Sequence, residues 1–63
     1  MILTGTAAST VVRARSARHA QNAWAKLVDA EGERRAFSHL AAAAGGSDAA
    51  FRALARHGIQ TDI

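Results

Sequence analysis

The sequence has no cysteine, no proline, and only three aromatic residues: Trp24, Phe37 and Phe51. Without cysteine there is no disulfide to staple a small fold and no thiolate to hold a metal. The same absence agrees with a reducing cytoplasm. The lack of proline, beside abundant alanine and arginine, puts helix ahead of strand over most of the chain. No apolar run approaches the roughly twenty residues that a membrane span needs. The alanine run at residues 41–44 is far shorter. The opening "MILTGTAAST" has neither the basic head nor the long apolar stretch of a secretory signal. The chain therefore reads as soluble and cytoplasmic, with no membrane partner.

Acid is missing from a long stretch as well. Residues 1–28 hold Arg13, Arg15, Arg18 and Lys26 without one carboxylate, and Asp29, Glu31 and Glu33 then fall close together. The formal net charge is +3. Such an asymmetry implies either a solvated face or a polyanionic partner.

What is present fits one small domain over residues 1–63. The large apolar residues are few (Ile2, Leu3, Val11, Val12, Trp24, Leu27, Val28, Phe37, Leu40, Phe51, Leu54, Ile59 and Ile63) and alanine supplies most of the rest. A core of this kind yields no more than about 3–5 kcal/mol. That shortfall points to self-association, and a homodimer is expected.

The expected fold class is all-α: a three-helix domain behind a β-prone or disordered N-terminal arm. "ILTGTAASTVV" is rich in Thr, Val, Ser and Gly, so residues 1–13 read as arm or strand. The first helix spans about 14–30, with Ala17, Ala20, Ala23, Trp24, Leu27 and Val28 on its inner face. Arg15, Arg18, His19, Asn22 and Lys26 gather on the outer face, and Arg13 lies at or before the first turn. Gly32 stops this helix. The second covers 33–44 and buries Phe37, Leu40, Ala41 and Ala44. The third covers 48–57, with Ser47 as its N-cap, and buries Phe51, Leu54 and Ala55.

No catalytic or metal constellation is evident, and neither an enzyme nor a cofactor is expected. His19, His39 and His57 share no ligand spacing with an acid. The serines have no base at a recognisable spacing, and "AAAAGGSDAAF" lacks the lysine of a phosphate-binding loop. His57 suits a helix C-terminus, and Trp24 suits the centre of the core or an interface anchor.

The segment "LAAAAGGSDAAFRALARHGI", residues 40–59, resembles the helix-turn-helix of bacterial and phage repressors. The likeness rests on Ala41 where two helices pack closely, Gly45 at the turn, Ser47 as a hydroxyl cap, and Phe51 and Leu54 at the apolar positions. Gly46 departs from it, standing where such turns carry an apolar anchor. The resemblance implies a small DNA-binding regulator of transcription, of a phage or plasmid type. Asp48, Ala49, Ala50, Arg52 and Ala53 would face bases, Arg52 reaching a guanine edge and alanines touching thymine methyls. Asp48 would repel phosphate. Arg13, Arg15, Arg18, Lys26 and Arg56 would meet phosphate.

Three other readings stay open. "STVVRAR" paired as a strand across a dimer resembles the ribbon-helix-helix repressors. The apolar helix faces around Trp24 suit a protein-binding adaptor or inhibitor module. "LAAAAGG" resembles the double-glycine processing site of exported peptides.

Overall fold

Four α-helices follow one another in the computed structural model: α1 Thr4–Arg13, α2 Ala17–Glu31, α3 Glu33–Ala44 and α4 Ser47–Arg56. The structure describes residues 4–61, with no strand among them. Ile2, Leu3 and Ile63, candidates for the core, lie outside the described residues. The fold class is all-α as expected, with one helix more.

That helix is the first correction. Residues 4–13 form neither arm nor strand, because Ala7, Ala8, Val11 and Val12 recur at helical spacing and make one apolar stripe. Ala8 and Val11 are buried in the core cluster, and Ala7 and Val12 pack at its edge. Burial of that stripe outweighs the modest strand preference of Thr and Val, a preference that context commonly overrides. The Thr10 hydroxyl donates to the Thr6 carbonyl at 2.9 Å, satisfying itself within the helix. Ser9 to Arg13 of "STVVRAR" are helical too, so the ribbon pairing has no strand to build on.

Ser16 caps α2 in an extended conformation, its Oγ accepting from the His19 N–H at 3.1 Å. The inner face is the expected one: Ala20, Ala23, Trp24 and Leu27 are buried and Val28 half-buried, though Ala17 is exposed. Gly32 alone separates α2 from α3. Its φ of 86° suits glycine, while its N–H closes α2 on the Val28 carbonyl and its own carbonyl opens α3.

Val11, Leu27 and Leu40 are the largest fully buried side chains. Around them Ala8, Ala23, Trp24, Ala36, Ala50 and Leu54 complete the cluster, with Phe37, Ala41, Ala44 and Ile59 against its rim. α1 packs on α2 and α3, and α4 on α3. The radius of gyration, 9.9 Å, is that of a packed chain of this size, about 10 Å. α1 is therefore part of the body of the domain.

Two expectations for α4 need revision. Gly46, not Ser47, is its N-cap, and Ser47 is the first helical residue with no capping hydrogen bond from its side chain. The buried stripe is Ala50, Ala53 and Leu54, continued by His57, while Phe51 and Ala55 are exposed. An alanine-rich helix specifies its inward face weakly, because turning it exchanges one alanine for another. Phe51 finds its contact sideways, its ring centroid 4.6 Å from that of Phe37.

Candidate nucleic-acid interface

Two adjoining depressions run between α1 and α2, one along most of α2 and the other at its start. One, of about 470 Å³, is lined by Thr6, Ala7 and Thr10 from α1, and by His19, Asn22, Ala23, Lys26, Leu27 and Ala30 from α2. The other, of about 530 Å³, shares Thr6, Thr10 and His19 and extends to Ser9, Arg13, Ala14, Arg15 and Ser16. Among the described residues no carboxylate lines either one. Together they make a groove with a partly apolar floor and a rim of cations, hydroxyls and an amide.

The sequence puts these groups together by ending one helix and starting the next within three residues. Arg13 closes α1, residues 14–16 turn the chain, and α2 begins at Ala17. Arg13, Arg15, Arg18, His19, Asn22 and Lys26 are all exposed. Among the described residues no ion pair engages Arg13, Arg15, Arg18 or Lys26. The Ser16 oxygen accepts from the backbone, so its own O–H stays available to donate. Thr10 has already spent its hydrogen on Thr6.

The charges on α2 run against its dipole at both ends. A helix N-terminus carries partial positive charge and favours acids, yet the first turn of α2 has no acid and holds Arg18 and His19. The C-terminus favours cations, yet the last turn has no basic residue and holds Asp29 and Glu31. Glu31 is partly compensated by Arg35 at 4.0 Å, and the His39 ring lies 3.7 Å from it. Among the described residues nothing comparable relieves the N-terminal end, where an anion would be stabilised by Arg18 and the dipole together.

The α3–α4 pair has the outline of the resembling motif but a different surface. Gly45 ends α3 in the left-handed conformation, and the N–H groups of Gly45 and Gly46 both donate to the Ala41 carbonyl, at 3.0 and 2.8 Å. The glycine pair is thus a tightly bonded turn. At Gly46 φ is 141°, a conformation essentially confined to glycine, which accounts for the missing apolar anchor. Of the positions assigned to bases, Ala50 and Ala53 are buried at 0% and 1% exposure and Ala49 is half-buried. A thymine methyl cannot reach Ala53 in this packing. Arg52 and Arg56 are exposed, but Asp48 is exposed on the same face.

The basic face of α2 and the end of α4 also lie on different flanks. His19, Asn22 and Lys26 border the groove beside α1. Gln21, on the other flank, donates to the His57 carbonyl at 2.9 Å. The structure therefore gathers Arg13, Arg15 and Lys26 at one groove, whereas Arg18, Arg52 and Arg56 are exposed but do not line it. Helical periodicity had grouped the α2 cations. The contribution of α1 (Thr6, Ser9, Thr10) was missed because α1 was read as an arm.

Trp24 is 6% exposed and sits in the core cluster, so the apolar face around it is used up within the fold. The Nε2 atom of His57 is buried without a hydrogen-bond partner among the described residues. No helix among them is long and apolar enough to cross a membrane. Compared with family models, curated proteins and solved structures, the chain matches none.

Proposed function

We propose that this protein is a small, non-enzymatic DNA-binding domain of the cytoplasm that grips the phosphate backbone through the groove between α1 and α2. The observation that carries the reading is a groove that, among the described residues, has no carboxylate in its lining and is rimmed by Arg13, Arg15 and Lys26, beside a helix first turn that holds Arg18 and no acid. Bringing phosphate there removes repulsion as well as adding attraction. Hydroxyls and amides such as those of Ser9, Ser16 and Asn22 are common phosphate partners. The alternative of base reading by α4 has little surface left, since the alanines assigned to it face inward or stand half-covered. Binding is accordingly expected to follow the backbone more than the sequence, and a regulatory role would rest on occupancy or on a second factor.

The test is titration of unrelated duplexes across a range of salt. Four cations meeting phosphate give a slope of log affinity against log salt near −3 to −4, with dissociation constants of about 10⁻⁴–10⁻⁶ M at physiological salt. Similar affinities for unrelated sequences support the reading. No binding at low salt would refute it, and strong preference for one sequence would return α4 to the groove of the DNA.

A further inference from the structure

One face of α4 remains uncovered. At 100° per residue, Asp48, Phe51, Arg52, Ala55 and Arg56 fall within an arc of about 140°, and all five are exposed. Phe51, at 45%, is the one large apolar side chain among the described residues left open to water. Its tilted stack on Phe37, at 43° between ring planes, holds it in place. An aromatic ring already fixed in position loses little entropy on being covered, as suits an interface anchor.

The charges on this face are ordered along the helix. Asp48 stands in the first turn and Arg56 in the last, with Phe51 and Arg52 between them. An acid at one end, a cation at the other and an aromatic near the middle form a pattern complementary to its own reverse. A two-fold axis crossing α4 near Phe51 and Arg52 brings Asp48 of each copy beside Arg56 of the other, as an isologous interface requires. Ala55, one turn from Phe51, is small enough to let the second ring approach. A polyanion fits this face less well, because Asp48 repels it.

We infer that the chain forms an antiparallel, isologous dimer with a second copy of itself through the exposed face of α4. This inference is independent of the DNA reading, since it concerns another surface and is tested without nucleic acid. Sedimentation equilibrium of the full chain over a concentration series should show the mass rising from 6.6 kDa toward twice that value. Phe51→Ser should raise the dimer dissociation constant at least about tenfold, since a buried aromatic anchor is lost from both copies, with the helical circular dichroism signal unchanged. Arg56→Glu should weaken the dimer by about three- to tenfold, the scale of a few exposed ion pairs. Adding Asp48→Lys in the same chain should restore it, because the ends again carry opposite signs. That double variant opposes the α4 dipole, so its recovery cannot arise from a better helix. A mass fixed at 6.6 kDa to millimolar concentration overturns the inference. So does an undiminished dimer in Phe51→Ser, a substitution that changes no charge.

Discussion

The α1–α2 pair and the α3–α4 pair are both short helices joined by a tight connection, yet they present opposite kinds of surface. Between α1 and α2 the junction stays open, and among the described residues the groups at its edge are cations, hydroxyls and an amide with no carboxylate. Between α3 and α4 the glycine turn is closed by two hydrogen bonds to one carbonyl, and the outer face of α4 mixes Asp48 with Arg52 and Arg56 around an exposed ring. A surface of one sign attracts a polyanion along its whole length, whereas a surface of mixed sign ordered end to end suits its own reverse. On the proposed reading, DNA meets the α1–α2 pair and not the pair that resembles a DNA-reading motif.

The comparison can be broken most severely at α1. Val11 is fully buried, so Val11→Asp places an unpaired carboxylate in the core and costs several kcal/mol. That equals or exceeds the roughly 3–5 kcal/mol a domain of this size has available. Thermal circular dichroism should show an unfolded chain. A variant that retained a cooperative transition would mean that α1 is dispensable and that the groove has only one wall.

A smaller effect is expected at the α3–α4 turn. Gly46→Val supplies the apolar residue that the resembling repressor turns carry. A Cβ there meets nothing within 4 Å, so the penalty arises from φ alone and should be about 1–3 kcal/mol. Denaturant unfolding measures it. A stability gain would show that the turn can adopt the repressor geometry and that α4 can be anchored as in those proteins.

The smallest effect separates stability from binding in α2. Arg18 stands in the first turn against the helix dipole, so Arg18→Glu should stabilise the free domain by about 0.3–1 kcal/mol. The same substitution should weaken duplex binding. A loss of both stability and binding would mark Arg18 as a structural residue.

These contrasts follow the limits of what the residues declare. Gly32 and Gly45 and the stripe of Ala20, Ala23, Trp24 and Leu27 are legible, because stop glycines and large apolar side chains set boundaries and phase, whereas the helix expected from about residue 14 begins at Ala17, capped by Ser16. α1 was obscured by its residue types. Thr, Val and Gly suggest strand, although Ala7, Ala8, Val11 and Val12 already carry the helical spacing. The inward face of α4 was illegible for a different reason: Ala49, Ala50, Ala53 and Ala55 differ too little in hydrophobicity to choose it. The groove was half legible. Arg15 and Lys26 were read on one helical face, but Arg15 lies in the turn before α2, and the hydroxyls beside the cations come from α1 and are joined to them only by tertiary packing.

On the proposed reading, phosphate meets the α1–α2 groove and not α4. The most direct measurement is the salt dependence of duplex binding for two double variants, Arg15→Ala with Lys26→Ala, and Arg52→Ala with Arg56→Ala. Each pair removes two exposed cations, so the net charge changes equally. The slope should fall by about two counterions for the groove pair and change little for the α4 pair. The reverse result, with the slope lost from the α4 pair and kept in the groove pair, would contradict it.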